Sequence, residues 1–265
     1  EHYPAHMSLT AGRDARMLLA CARDYLSRVL FVTIAGPQDT IDTCIAARLA
    51  KKFGLKHRRV PVRLASDEEL LQWLDITGYA LGGDIWKIHK SLQGFDRHRV
   101  MLPGIAGEVG RAFYWCDGDN AGSILSAEIL LKRAGLTVND RVLRATMDWL
   151  DGLAGYNAYQ ILDLFYLEQR LGCWAGPQHY GNTTSVFELS PFNHRRIFTA
   201  MMQLPYQYRL DQQLANDVCR QRWPALLKQP LTRDTSWACL RNKTIEFCHR
   251  TCSGIVSLMR TVNPQ

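Results

Sequence analysis

The first hundred residues alternate between short apolar runs and apolar stripes with a helical period. Residues 28–33 read R-V-L-F-V-T, a short run rich in β-branched side chains that predicts a buried strand. Residues 39–53 carry an apolar side chain at every fourth position, which predicts a helix with one buried face that ends at Gly54. That face comprises Ile41, Ile45, Leu49 and Phe53.

Further strands and helices continue this alternation. We predict strands at residues 3–9, 57–62 and 99–102, and helices at residues 14–26 and 67–77. Ser66 is the expected cap of the second of these helices. Strands that alternate with helices are typical of a parallel sheet covered by helices. The predicted fold class is therefore α/β, a parallel twisted sheet with flanking helices that binds ligands beyond the carboxyl ends of its strands.

From residue 123 onward, helical patterns replace strand patterns. Helices are predicted at residues 127–134, 140–153, 158–171, 195–204 and 210–222. Aromatic side chains occur at helical spacing on these segments, and we assign them to packing; they are Trp149, Phe165, Tyr166, Trp174 and Phe198. We therefore expect an α/β region at residues 1–122 and a mostly helical region at residues 123–265 that completes the same domain.

The composition is that of an ordinary globular protein. Of its 265 residues, 47% are hydrophobic and 22% are charged. The apolar runs are far shorter than the ~20 residues that cross a bilayer, so no membrane span is predicted. The formal net charge is +7, but the basic pairs Lys51-Lys52, Arg58-Arg59 and Arg195-Arg196 lack interleaved aromatics. We interpret these pairs as solvated surfaces rather than a nucleic-acid interface.

The eight cysteines are dispersed, in a chain long enough to fold without disulfides. We therefore expect a reducing compartment, the cytoplasm. A metal site at Cys248, His249 and Cys252 is the alternative, but no second cysteine pair completes a tetrahedral set. The chain starts at Glu1 with neither an initiator Met nor a signal peptide, so we expect that a further region precedes it.

The strongest candidate for chemistry is the loop between the first strand and the first helix, L-T-A-G-R-D-A-R at residues 9–16. A strand-to-helix turn directs free backbone N–H groups outward, and the helix dipole adds partial positive charge, so the turn favours an anion. Ala11 and Gly12 allow a phosphate to approach the backbone, and Asp14 beside it implies a bridging Mg²⁺. The alternative is a tight turn in which Asp14 only caps the helix.

Other phosphate-binding motifs do not fit the chain. No G-x-x-x-x-G-K-[ST] segment is present. Residues 104–110 (G-I-A-G-E-V-G) have the spacing G-x-x-G-x-x-G rather than the dinucleotide-binding G-x-G-x-x-G. Kinase-type and nicotinamide-type sites are therefore disfavoured.

Four segments together carry a family resemblance. Residues 10–15 (T-A-G-R-D-A) look like an S-G-G-x-D-S pyrophosphate loop, and residues 100–114 look like a hydrophobic strand followed by S-G-E-G-G-D-E-L-F-G-G-Y. Residues 187–193 with the later Leu204-Pro205 resemble E-V-R-V-P-F-L-D and L-P, and Arg241-Asn242-Lys243 with Phe247 resembles an R-x-K element followed by Phe. In this order they resemble the synthetase domain of the asparagine synthase-like family, within the ATP-pyrophosphatase superfamily.

The resemblance implies an adenine nucleotide alpha hydrolase-like fold and an ATP-dependent ligase. Such an enzyme activates a carboxylate as an acyl-AMP and forms an amide with an amine or ammonia, releasing AMP and pyrophosphate. The implied cofactors are ATP and Mg²⁺, and the implied substrates are small-molecule or peptide carboxylates and amines. The family's glutaminase domain, which begins with a Cys nucleophile, is not part of these residues, so ammonia would come from a separate N-terminal domain or a partner subunit.

The resemblance also assigns roles to individual residues. Asp14 and Glu108 would hold Mg²⁺, while Lys243 and Arg241 would be the catalytic cations that stabilise charge on the α-phosphate. The ATP-binding residues would be Leu9, Thr10, Ala11, Gly12, Arg13, Asp14, Ala15, Val32, Thr33, Ile34, Gly104 and Ile105. A metal pair should face one cleft, whereas a purely structural Glu108 would pair with an arginine such as Arg111.

Departures from the family pattern keep other functions open. Ala15 replaces a serine that would donate to phosphate, and Glu108 is one methylene longer than the family's Asp. A nucleotide-binding scaffold without turnover is therefore the alternative. A third function, adenylation of a tRNA base, would need a catalytic cysteine such as Cys116, although we interpret Cys116 as buried. Residues 82–84 and 178–180 are candidates for the wall of the substrate pocket.

Overall fold

The structure is a computed structural model that describes residues 5–36, 40–80, 90–95 and 98–231. Its strands are β1 (Ala5–Ser8), β2 (Val29–Ala35), β3 (His57–Pro61), β4 (Val100–Leu102) and β5 (Phe187–Glu188). They form one sheet in the order β3-β2-β1-β4-β5, and every neighbouring pair is parallel. The predicted α/β class with a parallel sheet and flanking helices is confirmed.

Helices surround this sheet and dominate the second half of the chain. The described α-helices are α1 (Arg13–Cys21), α2 (Ile41–Phe53), α3 (Asp67–Ile76), α4 (Ala127–Ala134), α5 (Asp140–Asp151), α6 (Ala158–Phe165), α7 (Gly176–Asn182), α8 (Arg195–Met202), α9 (Tyr206–Leu210) and α10 (Gln213–Arg222). The 3₁₀-helices are Arg23–Arg28, Gly107–Arg111 and Pro224–Lys228, and Tyr166–Ala175 forms a π-helix.

Several helix ends follow from local sequence chemistry. Ser66 caps α3, because its hydroxyl accepts from the Glu69 N–H while the Glu69 carboxylate accepts from the Ser66 N–H. Thr40 caps α2 in the same reciprocal way with Thr43. Gly54 ends α2 with a φ of 63°, a left-handed conformation that glycine adopts without strain. The predicted cap at Ser66 and the predicted stop at Gly54 are therefore confirmed, whereas the cap at Thr40 was not predicted.

Two predicted helices were too long. The helix predicted at residues 14–26 ends at Cys21, because Tyr25 has a non-helical φ of −124° in the 3₁₀-helix that follows. The helix predicted at residues 210–222 is interrupted at Gln212, whose φ of 55° separates α9 from α10. Apolar periodicity continues across both breaks, so the pattern alone did not reveal them.

Three elements of the second half differ from the prediction. The helix predicted at residues 158–171 ends at Phe165 and continues as a π-helix to Ala175. Helix α7 and strand β5 were not predicted at all. Strand β5 has only two residues and carries no recognisable period, and its identity comes from its pairing with β4, where Met101 lies opposite Glu188.

The sheet separates two hydrophobic cores among the described residues. Successive residues of β2 alternate between them, because neighbouring side chains of a strand point to opposite faces. Phe31 packs into the larger core, and Val32 packs into the smaller one with Val60 and Met101. The second half of the chain contributes to the larger core through Leu162, Phe165, Met201 and Leu226. The two halves therefore share one core as well as one sheet.

A buried arginine on α1 ties the sheet region to the last described segment. The Arg16 guanidinium donates to the carbonyl oxygens of Leu226, Gln229 and Pro230 at 3.0, 3.2 and 2.9 Å. Burial lowers the pKa of Arg16, and the three carbonyls accept from its two Nη atoms, whereas its Nε has no hydrogen-bond partner among the described residues. These hydrogen bonds therefore fix α1 against residues 226–230.

The surface agrees with the sequence interpretation except at one cysteine. The predicted basic pairs at residues 51–52, 58–59 and 195–196 are exposed. Cys21, Cys116, Cys173 and Cys219 are free thiols. Cys116 is exposed, so its interpretation as a buried residue was wrong. Cys248, His249 and Cys252 lie outside the described residues. No helix within the described ranges is long and apolar enough to cross a membrane.

A second buried arginine holds the segment that follows β4. Arg209, with 1% of its side chain exposed, donates two hydrogen bonds of 2.7 Å to Asp163 and one of 2.7 Å to the Val109 carbonyl. Burial raises the pKa of Asp163, and Arg209 opposes that shift. This pair connects α6 and α9 to the 3₁₀-helix Gly107–Arg111.

Removal of this cation should destabilise the fold. Arg209→Met leaves Asp163 buried without its counter-ion, so we expect the free energy of unfolding to fall by about 3 kcal/mol in urea titrations. The exposed Arg220→Met should change it by less than about 1 kcal/mol. The double variant Arg209→Met, Asp163→Leu should recover part of the lost free energy of unfolding, because it also removes the buried acid. Equal effects of the two single variants would contradict the assigned role of Arg209.

Candidate functional site

The order of strands reverses between β1 and β4. From β1 the chain moves through β2 to β3 on one side, whereas β4 and β5 lie on the other side. The loops after β1 and β4 therefore diverge and leave a crevice at the carboxyl ends of these strands, where open parallel sheets bind their ligands. A cleft of about 300 Å³ lies there, lined by these two loops and by the π-helix.

Most residues predicted from the two loops line this cleft. They are Thr10, Gly12, Asp14, Ala15, Gly104, Ile105 and Glu108. Leu9 and Ala11 are instead buried in the larger core. Val32 packs into the smaller core with Ile34 against it, and the Thr33 hydroxyl donates to the Leu9 carbonyl at 2.6 Å. These five side chains are engaged within the protein and do not line the cleft.

Other predicted positions are also absent from the cleft lining. Arg13 begins α1 but is not a lining residue. Lys243 and Arg241, the predicted catalytic cations, lie outside the described residues, and so do residues 82–84. Their roles stay predictions.

Two backbone N–H groups set the shape of the loop after β1. The Ala11 N–H donates to the Asp42 carboxylate at 3.0 Å, and the Gly12 N–H donates to the Thr10 hydroxyl at 3.1 Å. The turn was expected to leave backbone N–H groups free, and at Ala11 and Gly12 these groups are instead engaged within the protein. The N-cap residue of α1 is Gly12, which provides no side-chain cap, so an anion in the cleft would meet the N–H groups of the helix's first turn.

Glycines after β4 allow that segment to approach the first turn of α1. A Cβ atom added at Gly107 would lie 2.6 Å from an oxygen of Asp14, closer than real Cβ contacts come. A Cβ atom at Gly104 would lie 3.2 Å from the backbone nitrogen of Ala15. Close packing against α1 therefore explains these two glycines.

This approach places two carboxylates and an arginine together. Arg111 Nη2 lies 3.0 Å from Asp14 Oδ2 and 3.4 Å from Glu108 Oε1. The Tyr166 hydroxyl donates to Glu108 Oε2 at 2.9 Å. Asp14 and Glu108 thus face one cleft, and Arg111 also forms the ion pair that the structural alternative anticipated.

Burial and neighbouring charges shift the protonation of this cluster. Burial, and secondarily the Glu108 carboxylate, raises the pKa of Asp14 to about 6 despite the opposing effects of Arg111 and Arg13. Burial disfavours the charged form of Arg111, but the two acids raise its pKa overall, so it stays cationic. Burial and Glu108 also raise the pKa of Tyr166, which keeps its phenol a donor. The two acids therefore share Arg111 as their ion-pair partner.

A Mg²⁺ ion fits this acid pair if its other ligands come from outside the protein. Within the part of the chain that the structure describes, no group of three or more His, Cys, Asp or Glu side chains is placed to hold a metal. Mg²⁺ commonly binds one or two carboxylates together with water and phosphate oxygens. The oxygen donors of Asp14 and Glu108 suit such an ion when a phosphate ligand accompanies it.

The cleft also has a wall that was not predicted. Besides Ser8, its unpredicted lining residues are Tyr166, Arg170, Leu171 and Trp174 of the π-helix. The packing assignment holds for the core aromatics Trp149, Phe165, Tyr166 and Phe198. Trp174 instead lies beneath Arg170, whose guanidinium carbon is 3.8 Å from the ring centre. The sequence does contain a signal for this wall. Arg170 has one aromatic residue four positions before it and another four positions after it, on a largely apolar segment.

A further buried carboxylate, Glu188, lies on β5 outside the cleft lining. Burial raises the pKa of Glu188 to about 7, although the Asn182 amide donates to it at 3.2 Å. His179 Nδ1 lies 3.4 Å from the same oxygen, and burial lowers the pKa of His179, so we interpret a polar contact rather than an ion pair. Gln178, His179 and Tyr180 do not line the cleft, contrary to the suggested pocket wall.

Comparison with known proteins adds no family to this geometry. No protein-family model matches the sequence, and no curated protein matches it. The resemblance to asparagine synthase-like synthetases therefore rests on the sequence motifs.

Replacement of Asp14 should change how stability depends on pH. Its pKa is about 6 in the folded protein and about 3.9 in an unfolded chain, so its stabilising contribution is complete below about pH 4 and is lost as the pH rises through about 6. As the pH rises from about 4 to about 7, the free energy of unfolding of Asp14→Asn should increase by about 2 to 3 kcal/mol relative to that of wild type. Denaturant titrations in EDTA measure this. The exposed Asp75→Asn is the control, and parallel profiles for Asp14→Asn and wild type would refute the prediction.

Addition of one methyl group should test the close approach. Gly107→Ala places a Cβ atom against Asp14, so we expect the free energy of unfolding to fall by about 1 to 3 kcal/mol. Gly36→Ala is the matched control, because its Cβ would meet nothing within 4 Å. Carboxyl ¹³C titration of Asp14 should also change only in Gly107→Ala. If both variants behave like wild type, the packing described here is incorrect.

Proposed function

We propose that the chain is an ATP-dependent adenylating ligase with an adenine nucleotide alpha hydrolase-like fold, similar to asparagine synthase-like synthetases. It activates a carboxylate as an acyl-AMP and transfers the acyl group to an amine or ammonia. The products are an amide, AMP and pyrophosphate.

One observation carries this proposal. Asp14, from the turn after β1, and Glu108, from the segment after β4, line one cleft beside the uncapped first turn of α1. An acid pair next to free helical N–H groups is suited to a phosphate chain with a divalent cation. The cleft also lies where the strand order reverses, the usual ligand position in such sheets.

The proposed reaction has two steps. A carboxylate oxygen bonds to the α-phosphorus of ATP while the bond from that phosphorus to the bridging oxygen breaks and pyrophosphate leaves. An amine nitrogen then bonds to the acyl carbon, AMP leaves, and a proton of the amine passes to solvent. Positioning and neutralisation of charge supply most of the rate enhancement in such reactions.

The residues of the cleft have separate roles in this scheme. The first-turn amides of α1 would bind phosphate, and Asp14 with Glu108 would hold Mg²⁺, which would supply positive charge to neutralise the phosphate chain. Arg111 keeps the two acids in place before the ligand binds. Lys243 and Arg241 remain the predicted cations at the α-phosphate, and the end of β2 remains the predicted neighbour of adenine.

The proposed substrates are a small-molecule or peptide carboxylate and an amine. Ammonia, if it is the nitrogen donor, comes from a separate domain or partner subunit. A cytoplasmic location is consistent with the free thiols among the described residues.

A nucleotide-binding scaffold without turnover is the second candidate. The observation that favours it is the ion pair between Arg111 and Asp14, together with the engagement of the Ala11 N–H by Asp42. Both contacts would have to yield to a bound Mg²⁺ and phosphate. Adenylation of tRNA has less support, because Cys116 is exposed but does not line the cleft.

Pyrophosphate release in the presence of ATP, a panel of carboxylic acids and a panel of amines tests the proposal. Asp14→Ala and Glu108→Gln should lose at least about tenfold of the wild-type rate, because each removes a charged ligand, and Glu108→Asp should keep more than Glu108→Gln. EDTA should abolish release. The exposed Glu128→Gln is the matched control and should keep the wild-type rate.

The alternatives give different outcomes. ATP binding that needs Asp14, without pyrophosphate release for any pair of substrates, would favour the scaffold. Release that is unchanged in both Asp14→Ala and Glu108→Gln would refute the assigned site. Circular dichroism of each variant shows whether the fold is retained.

A further inference from the structure

The π-helix presents a basic and aromatic surface to the cleft. Tyr166, Arg170 and Trp174 follow one another at intervals of four, and all three line the cleft with Leu171. A π-helix has a wider turn than an α-helix and occurs frequently at functional sites. Here it brings side chains four and five positions apart to the same wall.

Arg170 differs from the other arginines of the site region. Arg111 and Arg209 each pair with an aspartate, at 3.0 and 2.7 Å. Among the described residues, no acid forms an ion pair with Arg170. Its guanidinium instead lies over Trp174 at 3.8 Å and near Phe113 at 6.0 Å, and the residue is half-buried. Aromatic rings thus hold the Arg170 guanidinium in place, and none of the described acidic residues forms an ion pair with it.

The chemistry of this wall selects a ligand. A planar guanidinium binds a carboxylate through two parallel hydrogen bonds, and stacking on Trp174 fixes the plane of the fork in advance. Leu171 and Trp174 add apolar surface beside it, which a triphosphate cannot use. The phosphate-binding donors belong instead to the first turn of α1. The wall therefore suits an organic acid that carries both a carboxylate and a hydrophobic group.

We propose that Arg170, held against Trp174, binds the carboxylate of the acyl substrate, and that this substrate is an organic acid with a hydrophobic group. The inference rests on the proposed adenylating function. It adds the class of substrate and the residues that recognise it. Arg170 lines the same cleft as Asp14 and Glu108, the two acids of the proposed nucleotide site.

Direct binding without ATP tests this subsite. Calorimetry with phenylacetate, acetate and phenylacetamide should give the tightest binding for phenylacetate, since only it has both the carboxylate and the ring. Arg170→Met should weaken phenylacetate binding at least about tenfold, and Arg170→Lys should give an intermediate loss. Trp174→Leu should also weaken it. The exposed Arg144→Met is the matched control and should bind phenylacetate like wild type.

The outcomes separate this inference from the proposed function. If wild type binds none of the acids at millimolar concentration, or if Arg170→Met binds phenylacetate like wild type, the subsite is refuted. If Arg170→Met loses Mg·ATP affinity instead, the residue contacts phosphate and the assignment is equally refuted. Arg170-dependent acid binding without pyrophosphate release would support the subsite while refuting the ligase. Pyrophosphate release that is the same in Arg170→Met and wild type would support the ligase while refuting the subsite.

Discussion

The site depends on the close approach of the segment after β4 to the first turn of α1. The absence of side chains at Gly104 and Gly107 permits this approach, since a Cβ at Gly107 would overlap the carboxylate of Asp14. The approach in turn buries Asp14 beside Glu108 and Arg111. Burial then makes electrostatics important, because charges removed from water interact more strongly and cost more to leave unpaired. The geometry of the backbone therefore creates the unusual protonation behaviour of the cleft.

Contacts from the helical half hold this arrangement from outside. Arg209 binds the Val109 carbonyl and Asp163, and the Ser190 hydroxyl donates to the Ile105 carbonyl at 2.7 Å. These hydrogen bonds fix the segment after β4 from two directions. The π-helix begins directly after α6, the helix that carries Asp163, so the same element that anchors the segment also forms the wall of the cleft. A change in the packing of α6 would therefore affect both.

Arg111 gives the acid pair two possible roles. In the structure it acts as the counter-ion of Asp14, which stabilises the cleft without any bound cation. Burial, with the Glu108 carboxylate second, raises the pKa of Asp14 although Arg111 is paired with it. A ligase would use the two acids to bind a cation with its nucleotide, whereas a scaffold would keep the arginine in place. The two functions therefore differ in whether a bound cation replaces Arg111 as the counter-ion of Asp14, and both are compatible with the same fold.

The sequence by itself determined the parallel α/β class, the helix cap at Ser66, the helix stop at Gly54 and the two loops that line the cleft. Periodicity and capping residues are local properties, and the motif resemblance pointed to the loop at residues 10–15 and to Glu108. Only the tertiary structure decided that Ala11 is buried against Asp42, that Arg111 pairs with Asp14, and that Arg170 and Trp174 form a wall. The ion pair and the Ala11–Asp42 contact join residues far apart in the sequence, and the wall needs a π-helix that apolar spacing does not distinguish from an α-helix. Burial, which sets the pKa of Asp14, arises only once those distant segments have packed together.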